Sequence, residues 1–287
     1  MSLDKDKEIL IVGLGVIGGG YAAALTENGY RVKCITKNQC DIDYAIERGM
    51  VEYGTTEVDE SLVGEADLII FALYPTTFIE WVKEYQHLFK SGALITDVTG
   101  VKVSVVGEVQ SILRPDVEFI SAHPMAGRER SGVEYSDPNV FKGANYIITP
   151  TEKNTEKAIA VCHKIGEVLG FARISILSPE EHDKMIAFLS QLTHCIALTL
   201  MTCNTSDGLE KYTGDSFRDL TRIAKINDAM WSELFLMNKD ALLCEMDSFI
   251  SEFERLHYMI ESCDREGMRE MMRLSSSRRT LFDKPKA

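Results

Sequence analysis

Apolar residues recur along this chain in two different ways. Up to about residue 177, short β-rich runs at 8–12, 31–35, 67–72, 93–97, 117–120, 146–149 and 172–176 alternate with stretches of helical spacing at 18–28, 78–88 and roughly 153–169. A run such as Asp67-Leu68-Ile69-Ile70-Phe71-Ala72 is apolar at odd and even positions alike, as a strand covered on both faces requires. Strands of that kind separated by helices predict an α/β Rossmann domain with a doubly wound, mostly parallel sheet. After Leu177 the strand signal stops. Ser178-Pro179-Glu180-Glu181 has the form of a helix start, with serine as N-cap, proline at the first helical position and glutamate at the third. From there to about Arg279 apolar residues are spaced by three and four, which predicts an all-α domain. The expected organisation is a dinucleotide-binding domain over 1–177 and a helical substrate and dimerisation domain over 178–287; 287 residues are many for one hydrophobic core.

Composition narrows the function classes. A formal charge of −13 argues against nucleic-acid binding, which needs clustered Lys and Arg, and means that an anionic substrate must be drawn in by a locally basic pocket. No uninterrupted apolar run reaches the ~18 residues that cross a bilayer, so no membrane partner is expected. The first eight residues are charged and lack the apolar core of a signal peptide. Seven cysteines, an odd number without C-x-x-C spacing, point away from disulfides and zinc and towards a reducing cytoplasm.

Gly13-Leu14-Gly15-Val16-Ile17-Gly18 is G-x-G-x-x-G, placed directly after a strand and opening a helix. The first glycine permits the tight turn, the second lets backbone approach a pyrophosphate, and the third allows close helix–strand packing. The run from Gly13 through Val16 and Ile17 to Gly18 is therefore expected to cradle a nicotinamide dinucleotide at the helix N-terminus. After the second strand, where NAD-binding domains usually place an acid for the ribose hydroxyls, stand Ile35-Thr36-Lys37-Asn38. A hydroxyl and a cation suit a 2′-phosphate better, which favours NADP over NAD; the alternative is that Lys37 is a solvated loop charge. Thr76 follows the 67–72 strand at the end where ligands lie in open α/β sheets, unless Tyr74-Pro75 is a plain turn.

Chemistry concentrates in Ser121-Ala122-His123-Pro124-Met125-Ala126-Gly127-Arg128-Glu129, just after the 117–120 strand. A dehydrogenase that oxidises a carbinol needs a base near neutral pH, and an imidazole at a strand end on the nicotinamide side fits that need. With the glycine motif, with Asp97-Val98-Thr99-Gly100-Val101-Lys102 and with Phe217-Arg218-Asp219-Leu220-Thr221-Arg222-Ile223-Ala224, this segment resembles the prephenate/arogenate dehydrogenase family over essentially the whole chain. The resemblance implies oxidation of the ring carbinol of prephenate with loss of carbon dioxide, giving 4-hydroxyphenylpyruvate in tyrosine biosynthesis, or the parallel reaction of arogenate. It implies a homodimer through the helical domain. It makes His123 the catalytic histidine, Arg222 the ligand of a substrate carboxylate with Asp219 beside it, and Ser190 and His194 polar pocket residues.

The residues themselves suit those roles. Prephenate is a dianion, and arginine offers a planar fork that matches a carboxylate. Asp219 and Arg222 are three apart, on one helical face, so Asp219 can orient the guanidinium. Ser190 and His194 are four apart, in line with Asp183 and Ala187, a polar stripe expected to face a wet cleft. His182 is expected at the domain interface, and His87, His163 and His257 on the surface. Two departures stand out: Gly100 occupies a position where the family often has a serine whose hydroxyl supports the active site, so that Thr99 beside it is expected to supply that hydroxyl and to line the cofactor site, and Gln191 stands where the family often has histidine. A catalytically silent NADP-binding redox sensor is the rival from another class, and a β-hydroxyacid dehydrogenase with a helical second domain the rival among enzymes.

Overall fold

In the computed structural model, which describes residues 3–127 and 130–283, the apolar runs of the first half build a six-stranded parallel sheet. Its strands are β1 (Glu8–Val12), β2 (Arg31–Ile35), β3 (Tyr53–Thr55), β4 (Leu68–Phe71), β5 (Leu94–Asp97) and β6 (Glu118–Phe119), in the order β3-β2-β1-β4-β5-β6. That is the doubly wound order whose reversal point, between β1 and β4, opens a crevice at the strand C-termini. Both faces are covered because both sets of alternating side chains are apolar. Ile9 and Ile11 join the core under the Val16–Glu27 helix, while Leu10 and Val12 join the opposite core. On that second face Phe71, Phe78, Trp81, Phe89 and Phe119 interlock, with Phe71 and Phe78 ring centres 4.6 Å apart.

The last two expected strands, 146–149 and 172–176, do not continue this sheet. The chain leaves it after only two paired residues in β6, and β7 (Ser121–Pro124), β8 (Asn145–Thr149) and β9 (Arg173–Ile176) form a separate sheet, with β7–β8 antiparallel and β8–β9 parallel. The cause lies at the end of β5. The buried Asp97 carboxylate accepts from the Ser121 hydroxyl and the Ala122 N–H, and so draws the chain across the sheet end. Lys102 completes the cluster. Its Nζ lies 2.9 Å from Asp97 and 2.8 Å from the Ala122 carbonyl, with neither charged side chain reached by solvent.

From Ser178 onward the described elements are helical. Ser178 and Glu181 form a reciprocal capping box that starts the Pro179–Ile186 helix. The helix continues through a π-helical segment, Ala187–Leu192, into Thr193–Thr202. At 24 residues this stretch is long and apolar enough to span a bilayer by length and composition. Counting uninterrupted runs missed it, because Ser190, Gln191, Thr193 and His194 break the run without ending the helix. Residues Met1–Lys239 pack as one compact unit and Asp240–Ala287 as another. The second unit is a pair of helices, Lys239–Glu261 continuing into it and Arg265–Arg279, joined through Cys263, which adopts φ 54°.

Replacing Lys102 by Met should leave the Asp97 carboxylate buried without its cation. Removing one partner of a buried pair costs about 3–5 kcal/mol, so the urea midpoint of Lys102→Met should fall markedly; a midpoint within experimental error of the parent would rule out this account of the cluster.

Candidate active site

The glycine turn follows β1 directly. Gly13 has φ +98°, and a Cβ there would lie 2.6 Å from the Ala72 carbonyl oxygen at the end of β4. A Cβ on Gly18 would lie 2.0 Å from the Gly13 carbonyl oxygen and 3.0 Å from the Ala72 Cβ, so the helix can approach the turn this closely only as glycine. Nothing stands within 4 Å of where a Gly15 Cβ would be. The helix that follows has no side-chain cap and no acid in its first turn, which leaves its leading N–H groups for an anion. Val16 is buried and Ile17 packs on the core, so these two offer backbone, not side chains. A cradle open on one side, lined by backbone donors, fits the pyrophosphate of a nicotinamide dinucleotide.

At the end of β2 the Thr36 hydroxyl accepts from the Leu14 N–H at 3.3 Å, tying that strand end to the glycine turn. Lys37 is exposed beside it. The next acid, Asp41, lies within the Gln39–Glu47 helix and is held by the Asn38 amide at 3.0 Å. Thr76 is exposed in the first turn of the Pro75–Tyr85 helix, and its N–H is taken by the Glu233 carboxylate. Thr99 is buried, with its hydroxyl engaged by Asp97, the Val101 carbonyl and Lys102. That hydroxyl is part of the charge cluster. Next to it, a Cβ on Gly100 would lie 3.9 Å from His123 Cε1 and 3.6 Å from Leu234, so Gly100 leaves room at the edge of the imidazole.

His123 is the third residue of β7, opposite Ile147 of β8, and is partly accessible. Its Nδ1 lies 2.9 Å from His182 Nε2, and His182 Nδ1 lies 2.7 Å from Asp183 Oδ1. Asp183 also accepts from the N–H groups of Lys102 and Val103, both at 2.8 Å, at the start of the Val103–Ile112 helix. His182 is fully buried and Asp183 nearly so. His182, expected at the domain interface, bonds to His123 across the expected 177/178 boundary, whereas the expectation of Asp183 on a wet stripe is corrected: Asp183 is nearly buried and faces a helix N-terminus. For His182, adjacent charge and a position four residues past the N-cap Ser178 were the signals in the sequence, and they do not name the partner. Withdrawal from solvent, then the neighbouring His182 and Lys102, hold the His123 imidazole well below its ordinary pKa. Burial also lowers His182, against the opposing pull of Asp183. Both rings are therefore neutral at pH 7.

The helical residues gather less completely. His194 Nδ1 lies 2.8 Å from the Ser190 carbonyl, and its ring stacks on Trp231 with centres 3.7 Å apart. Ser190 and His194 are half-buried, with the π-helical segment widening the turn between Asp183 and Ser190 and so breaking the regular stripe. Gln191 is buried in the same segment. It donates to the Leu234 carbonyl at 2.9 Å and accepts from Asn238 at 2.8 Å. The Asp228–Met237 helix thus touches both His194, through Trp231, and the Gly100 edge of His123, through Leu234. Asp219 and Arg222 are exposed. Their helix, Asp215–Thr221, ends before Arg222, which opens a 3-10 turn packed on the Thr193–Thr202 helix, so one regular helical face does not carry both. His87, His163 and His257 are exposed. Arg128 and Glu129, at the end of the His123 segment, lie outside the described residues.

Residues 21–175 match the nucleotide-binding domain of prephenate dehydrogenase, and residues 178–274 match the prephenate dehydrogenase dimerization domain. The prephenate dehydrogenase of Bacillus subtilis is 31% identical over 270 residues, which cover 91% of this chain and 72% of that protein. The cyclohexadienyl dehydrogenase of Zymomonas mobilis is 30% identical over 285 residues, covering 95% of each. Among solved structures, prephenate dehydrogenase from A. aeolicus, in complex with hydroxyphenyl propionate and NAD+, superposes with a TM-score of 0.90 at 30% identity, covering 99% of this chain and 100% of that one.

Proposed function

The chain belongs to the prephenate dehydrogenase family, and on that premise we propose that it converts prephenate to 4-hydroxyphenylpyruvate and carbon dioxide, with His123 as the general base. It is a Rossmann-fold oxidoreductase that uses a nicotinamide dinucleotide. The observation that carries the reading is an imidazole kept neutral by burial at the mouth of a strand, beside the space left by Gly100. Bound in the Gly13–Gly18 cradle, the dinucleotide supplies the hydride acceptor. His123 takes the proton from the ring hydroxyl, and the electron pair freed as the opposite carboxylate leaves as carbon dioxide completes the aromatic ring, so the carbinol oxygen ends as the phenol of 4-hydroxyphenylpyruvate. Arg222 holds a substrate carboxylate, with Asp219 nearby, while Ser190 and His194, the latter fixed against Trp231, line the pocket.

Gln191 spends its amide on Leu234 and Asn238 within the protein. The departure from histidine there gives no contact that would favour arogenate, and prephenate remains the preferred substrate. NADP is the proposed cofactor, because the Thr36 hydroxyl and Lys37 occupy the position where an acid would read the ribose. Division of labour is proposed between a dinucleotide domain over 1–177 and a helical substrate and dimerisation domain over 178–287, in a cytoplasmic homodimer. A panel of prephenate and arogenate, each with NAD and NADP, tests the whole reading; turnover of neither substrate would favour a silent dinucleotide-binding sensor.

Three outcomes follow from the assigned roles. His123→Asn should lose about 10²–10⁴-fold in kcat, as positioned bases contribute, while keeping dinucleotide affinity. Because a neutral imidazole is needed and its pKa is lowered, kcat/KM should hold down to below pH 6.5 and fall only beneath that, a limb absent from the variant. Near-parental kcat in His123→Asn would move the base elsewhere. For Arg222→Ala, loss of a charged hydrogen bond of about 1.5–3 kcal/mol should raise KM for prephenate roughly 10–100-fold with little change in kcat, and an unaltered KM would remove Arg222 from the substrate site. Thr36→Asp should shift preference from NADP towards NAD, since a carboxylate repels the 2′-phosphate and accepts from the ribose; a parent enzyme that already prefers NAD tenfold would end this assignment.

A further inference from the structure

We propose that His182 and Asp183 are positioning residues that fix the tautomer of His123, keeping its proton on Nδ1 and the lone pair of Nε2 free to act as the base. The proposal rests on the reading of His123 as that base. It comes from following hydrogens along one buried chain of contacts.

Asp183 sets the direction. Two of its three donors are the backbone N–H groups of Lys102 and Val103, each at 2.8 Å, and a backbone N–H cannot reverse its role. The Asp183 carboxylate is therefore an acceptor at both oxygens, and the third contact, 2.7 Å to His182 Nδ1, carries its hydrogen on the imidazole. With its proton on Nδ1, a neutral His182 presents a bare Nε2. The 2.9 Å contact from that Nε2 to His123 Nδ1 needs one hydrogen, which only His123 can then supply. Its own Nε2 is left unprotonated, and that is the atom general-base chemistry needs. A histidine without such a neighbour divides its proton between the two nitrogens.

The same chain handles charge. When His123 takes up a proton at Nε2, its Nδ1–H already points at His182, and His182 Nδ1–H already points at the buried carboxylate. The new positive charge is met by aligned dipoles ending on Asp183, with no reorganisation of solvent. The ionisable groups around the two rings are few. Asp183 flanks His182 on the Pro179–Ile186 helix, and Lys102 approaches from the β5 end with Asp97 as its counter-ion. A proton placed on His182 instead would reverse the contact: His182 Nε2–H would donate to His123 Nδ1, and the neutral tautomer would then carry its hydrogen on Nε2, blocking the base. The acidic limb therefore belongs to the pair of rings.

The test uses the full chain labelled with ¹⁵N-histidine, with ring nitrogens read by long-range proton–nitrogen correlation, alongside kinetics of His182→Leu and His182→Gln. In the parent protein at neutral pH, His123 should show a protonated Nδ1 and a bare Nε2. Leucine removes the acceptor, so His123 should become a mixture of tautomers and kcat should fall by more than about tenfold, within the ~10⁴ that a wrong tautomer can cost, with KM for the dinucleotide unchanged. Glutamine can return an acceptor to the place of Nε2, and it should recover the Nδ1–H form, most of kcat and a single-ring acidic limb. A parent protein with the hydrogen on Nε2 overturns the proposal, as does a His182→Leu enzyme with unaltered tautomer and pH profile. Should either variant fail to fold, the parent spectrum alone decides. That spectrum does not depend on turnover, so absence of prephenate oxidation would count against the function without touching the relay.

Discussion

Lys102 joins three parts of the molecule at one point. Its ammonium is paired with Asp97 at the end of β5 and with the Ala122 carbonyl in β7, while its backbone N–H is capped by Asp183 from the helical segment. A charge without solvent access is tolerable only if every hydrogen finds an acceptor. That demand fixes the parallel sheet, the strand carrying His123 and the start of the Pro179–Ile186 helix at one point. It also explains the break between the two sheets. Asp97 cannot satisfy Lys102, Ser121, Ala122 and Thr99 unless the chain turns out of the parallel sheet after β6.

A second layer of buried polar contacts extends this anchoring into the helices. The Asn238 amide donates both to the Asp183 carbonyl and to Gln191, and Gln191 donates in turn to the Leu234 carbonyl. Three segments, those around Asp183, Gln191 and Leu234, are thereby fixed to one another by bonds whose loss would strand buried amide groups. The π-helical turn at Ala187–Leu192 is part of the same arrangement. It carries Gln191 inward, while Ser190 and His194 stay half-buried. Gln191 bonds within the protein, and its contact with the Leu234 carbonyl reaches the residue that borders Gly100.

Much of the fold could be read from local pattern alone. β1 and β2 lie where their apolar runs place them, and the Ser178 cap forms as its residues dictate. A doubly covered parallel sheet follows from strands apolar on both faces, and the glycine turn from clashes that a Cβ on Gly13 or Gly18 would make. What escaped reading was short, edge-placed or non-local. Tyr53–Thr55 is a three-residue edge strand with partly exposed side chains, too brief for periodicity to register. The separate β7–β9 sheet depends on Asp97, a residue 24 positions from Ser121, and no run of hydrophobicity reports such a contact. His182 illustrates the same limit within the site. Its sequence neighbours are two glutamates and an aspartate, whereas its meaning comes from His123, 59 positions away.

With His123 as the proposed base, two requirements on that base conflict. Burial beside Lys102 keeps His123 neutral, and so available, but a lowered pKa also makes the imidazole a weaker proton acceptor. If burial acted alone, availability would be gained at the expense of strength. The carboxylate of Asp183 offsets this from two bonds away, because its influence grows as positive charge develops on the proton-bearing ring and is small while the ring is neutral. Interactions that strengthen only along the reaction lower its barrier without tightening the ground state. The Asp183 carboxylate accepts from two backbone N–H groups, while the ammonium of the neighbouring Lys102 is paired with Asp97. On these grounds the helix start at Val103, which looks like plain scaffolding, shares in the chemistry. Its first N–H groups stabilise the charge that the imidazole chain draws upon.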